Sequence, residues 1–117
     1  MRAELERAVF EVVQRYAKPY GGKAPTKYIA GFQTQDGSQL AIQRAREEIT
    51  VWLERDPPAD LVSSRRAYAP SDTRSSNLTA NAPRLDHGRA AFYAVVPTIG
   101  QLEKLMVWYV ARRVVTP

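Results

Sequence analysis

The pair Asp36-Gly37 restricts the fold of this chain more than any other feature of its sequence. It stands between two runs that contain apolar residues, in the segment KYIAGFQTQDGSQLAIQR. An Asp-Gly pair between such runs is the strongest short-range signal for a β-hairpin, because these residues tolerate the positive φ angles of a tight turn. We therefore predict two antiparallel strands, at Tyr28–Thr34 and Gln39–Arg44.

Two later segments also have the patterns of strands. In EITVWLE, the apolar residues Ile49, Val51 and Leu53 alternate with other types, which predicts a third, antiparallel strand. The prolines of RDPPAD end it, because a proline cannot donate a hydrogen bond to a strand ladder. The segment Ala90–Val96, AAFYAVV, is rich in aromatic and β-branched residues and predicts a fourth strand.

Each end of the chain predicts an amphipathic helix, over Arg2–Lys18 and from Ile99 to about Arg113. Thr98 and Gln101 form a capping box for the second helix. The two apolar stripes consist of Leu5, Val9, Val12, Val13 and Tyr16, and of Ile99, Leu102, Met106, Tyr109 and Val110. With 117 residues, we expect one domain over residues 1–117 with the order α-β-β-β-long loop-β-α. The predicted class is α+β, in two layers, with a mainly antiparallel four-stranded sheet and both terminal helices on one face.

The predicted long loop, residues 64–89, is rich in arginine, serine and asparagine. Long connections without secondary structure are uncommon in compact domains, and they tend to be functional loops or disordered linkers. Leu78 and Leu85, together with Pro70 and Pro83, favour a loop that packs on the protein and has limited freedom.

The outer face of the predicted sheet contains two large aromatic residues. If Ile49, Val51 and Leu53 face the helices, then Trp52 faces the other way, and Tyr93 does the same on the fourth strand. Three interpretations stay open at this point. The two rings form a small core beneath the long loop, an open platform for stacking on bases, or a patch that binds protein.

Several kinds of chemistry are excluded by residue type. The chain has no cysteine, which rules out disulfides, thiol catalysis and cysteine-ligated zinc. His87 is the only histidine, and no nucleophile stands at a recognisable spacing from it. We therefore expect no catalytic residues, no metal and no cofactor, whether the chain is a binding protein or the binding domain of a larger enzyme. In the absence of a long apolar segment or a signal-peptide pattern, we expect a cytoplasmic protein that does not contact a membrane.

The distribution of charge points to a polyanionic partner. The formal net charge is +5, from 17 Lys and Arg against 12 Asp and Glu. The segment 61–90 contains five arginines, two aspartates and no lysine, so 5 − 2 = +3 of that charge lies there. An arginine side chain binds phosphate oxygens and guanine edges in a bidentate manner, which solubility alone does not require.

Our hypothesis is a non-catalytic nucleic-acid-binding domain, with double-stranded DNA as the expected ligand. It would be a target-recognition module of a restriction or other microbial defence protein. The alternative is a protein-interaction module, antitoxin-like or an inhibitor, that docks on an acidic partner. The predicted contact residues are Trp52, Arg65, Arg66, Arg74, Ser75, Ser76, Asn77, Asn81, Arg84, Arg89 and Tyr93. Because Arg74 and Arg84 lie on no predicted core stripe, we expect their replacement by alanine to leave the fold nearly intact.

Overall fold

The computed structural model describes residues 1–22, 26–74, 78, 81–86 and 88–111. In this part of the chain, one α-helix comes before six β-strands and a second α-helix follows them. The helices are α1 (Ala3–Gln14) and α2 (Ile99–Val110), and the strands are β1 (Ala17–Pro19), β2 (Ile29–Thr34), β3 (Gln39–Gln43), β4 (Ile49–Leu53), β5 (Ser64–Tyr68) and β6 (Ala91–Val96).

The strands form a single antiparallel sheet in the order β1-β2-β3-β4-β6-β5. The predicted hairpin is the β2–β3 pair, and Gly37 in its turn has a φ of +91°, a conformation that favours glycine. The chain therefore has the predicted α+β architecture with an antiparallel sheet. The segment from β4 to β6 is long because the chain first builds β5 at the edge and then returns to pair β6 between β4 and β5.

The prediction of a four-stranded sheet was wrong, because β1 and β5 were missed. β1 has three residues, ends at Pro19, and was assigned to the end of the first helix, which stops at Gln14 instead. β5, with the sequence SRRAY, lies at the sheet edge and is exposed along most of its length. Such a strand buries no apolar face, so it lacks the alternation by which strands are predicted.

Both helices pack on one face of the sheet, as predicted. Their buried residues include Val9 and Val13 of α1 and Leu102 and Met106 of α2, and these share one apolar core with alternate residues of the strands. On β4 those residues are Ile49, Val51 and Leu53. The predicted cap is also confirmed, since the Thr98 side chain accepts a hydrogen bond from the Gln101 backbone N–H at 3.1 Å.

A tyrosine from α2 joins two strands at the point where their pairing stops. The last paired residues of β3 and β4 are Leu40 and Leu53. Beyond them, the Tyr109 hydroxyl accepts a hydrogen bond from the Glu54 N–H at 2.9 Å and donates one to the Gln39 carbonyl. Burial raises the pKa of the Tyr109 phenol well above its ordinary value of 10.0. The neutral hydroxyl thus replaces one step of the β ladder.

We expect Tyr109→Phe to lower the free energy of unfolding by about 2 kcal/mol, because two buried backbone groups lose their partner. The effect depends on pH. The folded state holds the phenol proton more tightly than the unfolded chain does, so this stabilisation is complete below about pH 10 and declines as the pH rises further. Urea unfolding of parent and variant at pH 8 and above pH 10 measures both effects. Tyr28→Phe is the matched control, since Tyr28 is 46% exposed. Equal stability of the two variants would contradict the role of this hydroxyl.

Candidate nucleic-acid interface

The outer face of the sheet, opposite the helices, carries a second apolar core that is covered by residues of the segment 69–90. This segment is called the loop below, because residues 64–68 of the predicted loop form β5. On the outer face Trp52 is only 4% exposed, and Leu78, Ala82 and Leu85 from the loop are fully buried above the strands. The Tyr93 ring lies 4.6 Å from the Trp52 ring, measured between centroids. The first of the three interpretations of these aromatic residues, a small core beneath the loop, is therefore the observed arrangement. Trp52 presents no open ring face for stacking.

The loop is seated where the side chains of the sheet are smallest. Residues directly opposite each other on neighbouring strands share a face, and one such row runs from Arg66 through Tyr93, Trp52 and Ala41 to Gly31. Side-chain size falls sharply along it. A Cβ atom built on Gly31 would lie 1.7 Å from the carbonyl oxygen of Asn81. The backbone of the loop thus occupies the space that glycine leaves.

Arg74 holds the two ends of the loop together. Its guanidinium donates hydrogen bonds to the backbone carbonyls of Leu85 and Asp86, at 2.7 and 2.9 Å, and to that of Ala69 at 2.8 Å. It also donates to the carbonyls of Tyr68 and Arg89. A planar fork with five N–H donors is suited to several carbonyls at once. The Arg74 side chain therefore has a structural role, because it connects the two ends of the loop.

Arg84 fixes the loop to the sheet at a second point. Its Nε and Nη2 atoms lie 2.9 and 2.8 Å from one carboxylate oxygen of Glu54, a side chain that is 12% exposed. Nη1 donates to the Gly37 carbonyl, and the backbone N–H of Arg84 donates to the Gln39 side chain at 2.9 Å. Half-buried ion pairs with such hydrogen bonds contribute more than exposed pairs do. The expectation that alanine at positions 74 and 84 leaves the fold nearly intact does not fit these contacts.

The two adjacent arginines of β5 lie on opposite faces of the sheet. Arg65 is opposite Ala94, which belongs to the helix-side core, and its Nε forms a 3.0 Å ion pair with Asp56. Arg66 is opposite Tyr93 on the outer face, is exposed, and its guanidinium carbon lies 4.7 Å from the centre of the Tyr68 ring. The sequence hypothesis placed both residues in one contact surface, but only Arg66 lies on the outer face.

A cleft of about 340 Å³ opens on the outer face beside the loop. Its described lining residues are mainly aromatic or carry polar groups that can donate hydrogen bonds. They are Gln43, Arg46, Trp52, Arg66, Tyr68, Thr73, Arg74 and Tyr93. This set contains three arginines and no carboxylate. Arg46 and Arg66 are exposed, and neither forms an ion pair with a described residue.

One polar side chain of the cleft has a fixed orientation. The indole Nε1 of Trp52 donates a hydrogen bond to Oε1 of Gln43 at 3.2 Å. The oxygen of the Gln43 amide is therefore turned toward the buried ring, and the amide NH₂ has no hydrogen-bond partner among the described residues. A glutamine whose oxygen is held in this way presents donors to a ligand.

The remaining predicted contact residues have varied positions. Asn81 is buried, at 7% exposure, where the loop backbone lies against Gly31, and Arg89 is exposed. Ser75, Ser76 and Asn77 lie outside the described residues. Sequence reasoning missed Gln43, Arg46 and Tyr68. The alternation of β3 places Gln43 on the same face as Ala41 and Trp52, and this signal could have identified it.

Among the described residues, no group of histidine or acidic side chains is arranged to hold a metal ion. None of the described helices has the length and apolar character to cross a membrane.

The sequence matches no protein-family model, and comparisons with curated proteins and with solved structures found no match either.

Proposed function

We propose that this chain is a non-catalytic nucleic-acid-binding domain whose outer sheet face contacts the phosphate backbone. The observation that carries the proposal is the cleft with two exposed arginines, Arg46 and Arg66, and no carboxylate among its described lining residues. An arginine without an acidic partner at the rim of an aromatic cleft favours an anionic ligand that also has planar groups. Nucleic acid has both features.

The position of Arg66 is suited to this task. Its guanidinium stacks on the Tyr68 ring, at 4.7 Å from the ring centre, while the side chain is exposed to solvent. Stacking limits the conformations of a long side chain, so less entropy is lost when it binds a phosphate. Arg46, which is also exposed, lines the same cleft from the turn between β3 and β4. Of these two arginines, only Arg66 belongs to the contact residues predicted from the sequence.

Three finer statements stay predictions from the sequence. They are double-stranded DNA as the ligand, a role as part of a restriction or other microbial defence protein, and a cytoplasmic location. The first rests on the net charge of +5 and on the arginines of the segment 61–90, and the cytoplasmic location on the absence of cysteine.

The replacement of both rim arginines, Arg46→Gln with Arg66→Gln, is expected to weaken binding to mixed-sequence duplex DNA. The slope of log affinity against log salt concentration should fall by about 0.9 for each phosphate contact removed. Fluorescence anisotropy titrations at salt concentrations from roughly 50 to 300 mM measure this slope. The matched control is Arg2→Gln with Arg7→Gln, two exposed arginines of the N-terminal segment and α1, which packs on the other face.

An equal loss in both double variants would mean that attraction is diffuse and that the cleft is not the contact surface. A parent protein that binds both duplex and single-stranded DNA weakly, with a shallow salt slope, would remove the nucleic-acid proposal.

A second candidate function has one observation in its favour. β5 is an exposed edge strand with Arg65 and Arg66 at its centre, and an unpaired edge can accept an extended peptide by strand addition. This would suit a protein-interaction module with an acidic partner. Such a partner predicts binding to acidic peptides but only weak binding to DNA, so the salt series on duplex DNA separates the two functions.

A further inference from the structure

We propose that the cleft on the outer face takes one unpaired nucleotide, which is held by its base as well as by its phosphate. The inference rests on the proposed function and specifies the ligand of the same site. At about 340 Å³, the cleft is near the lower end of the roughly 300–1,000 Å³ typical of small-molecule sites. A base within a duplex is stacked and paired and cannot enter a recess, whereas an unpaired base can.

The polar floor of the cleft is suited to the edge of a base. Trp52 holds Oε1 of Gln43 at 3.2 Å, so the Gln43 NH₂ is the part of the amide left for a ligand. The NH₂ group complements the carbonyl oxygens and ring nitrogens that an unpaired base exposes. Because the Trp52 indole is itself buried, the amide is held by a rigid neighbour. Fixed donors recognise a ligand at a lower entropic cost than mobile ones.

The aromatic walls are suited to the faces of a base. The Tyr93 ring lies 4.6 Å from the Trp52 ring and is half-buried, so part of it borders the cleft, while the half-buried Tyr68 ring, 5.0 Å from Trp52, carries the Arg66 guanidinium on its face. Contact between a base and an aromatic side chain is tolerant of base identity, because every base has a π face. Arg46 and Arg66 at the rim are then placed for the phosphate that flanks the bound base.

An unpaired nucleotide can come from a single strand or from a base extruded out of a duplex, and three probes distinguish these sources. They are a fluorescein-labelled single strand, a blunt duplex of the same sequence, and that duplex with a one-nucleotide bulge. Anisotropy titrations of the parent protein should give affinities about tenfold higher for the single strand and the bulged duplex than for the blunt duplex. Tight binding to the blunt duplex alone overturns the inference and leaves the proposed function standing, whereas binding to none of the three overturns both. If only one of the two unpaired probes is preferred, the inference holds and that probe identifies the source.

Gln43→Glu tests the site within the cleft. Glutamate keeps an oxygen for the Trp52 indole but removes the NH₂ donors, so the fold should persist while the preference for unpaired probes is lost. Gln35→Glu, in the exposed β2–β3 turn, makes the same change of charge away from the cleft. We expect Gln43→Glu to weaken single-strand binding about tenfold more than Gln35→Glu does. Equal effects of the two variants overturn the inference.

Fluorescence gives a direct reading of occupancy. The chain has two tryptophans, and Trp108→Phe leaves Trp52 as the only one. A nucleotide in the cleft contacts the residues around the Trp52 indole, so saturation with the single strand should quench the emission of Trp52. Unchanged emission at saturation would mean that the strand binds elsewhere and would overturn the inference.

Discussion

Gly31→Ala is expected to lower the free energy of unfolding by about 3 kcal/mol and to displace the loop from the sheet. The added Cβ would lie 1.7 Å from the carbonyl oxygen of Asn81 and 2.6 Å from its carbonyl carbon. Since the obstacle is backbone, no side chain can rotate out of the way, and the loop must move. Urea unfolding measures the loss of stability, and limited proteolysis of the native protein measures exposure of the loop.

Gly100→Ala is the matched control for this change. Gly100 lies in the first turn of α2, and the nearest atom to an added Cβ is Thr98 Oγ1 at 3.8 Å, an ordinary contact. Alanine inside a helix is favoured over glycine by roughly 0.5–1 kcal/mol, so this variant should be as stable as the parent or more stable. If Gly31→Ala unfolds at the same urea concentration as Gly100→Ala, the loop does not lie against Gly31.

Arg74→Ala is expected to cost about 3 kcal/mol, which is the second large effect. The substitution removes the guanidinium from five backbone carbonyls that belong to both ends of the loop, of which the Ala69 carbonyl keeps the Asp72 N–H as a donor at 2.9 Å. Arg74→Lys should recover only part of the loss, because an ammonium group lacks the planar fork. Unfolding midpoints and the rate of proteolytic cleavage within the loop measure the effect.

Arg89→Ala is the control for Arg74→Ala. Arg89 is exposed, and its side chain forms no hydrogen bond or ion pair with a described residue, so its removal should change stability by less than about 0.5 kcal/mol. If the two variants have the same stability and cleavage rate, Arg74 does not hold the loop. Its guanidinium would then be available for phosphate, as the sequence hypothesis assumed.

These predictions differ from the sequence hypothesis because they depend on which groups meet in space. The arginine content of the segment was read correctly as a local excess of positive charge. The sequence did not reveal that Arg84 faces a carboxylate thirty residues away, on Glu54, or that Arg74 faces the backbone of its own loop. A guanidinium binds carbonyl, carboxylate and phosphate oxygens by the same geometry, so residue type alone does not distinguish a structural arginine from a ligand-binding one.

The elements with a strong local period could be predicted from the sequence. The hairpin at Gly37, the alternation of Ile49, Val51 and Leu53, and the stripe of α2 each repeat within a few residues, and each is found in the structure. The same alternation placed Trp52 on the outer face, where it lies. Such patterns are local because the backbone fixes where successive side chains point.

The tertiary structure decided the edges of the sheet and the composition of the site. β5 is a strand because β6 pairs with it, and its own residues bury too little to predict it. Gln43, Arg46 and Arg66 share a cleft because four neighbouring strands, β3, β4, β6 and β5, and a turn meet there. Contacts between distant segments follow from the pairing order of the strands, and that order depends on the burial of the whole core. The direction of each side chain along a strand, in contrast, depends only on its immediate neighbours.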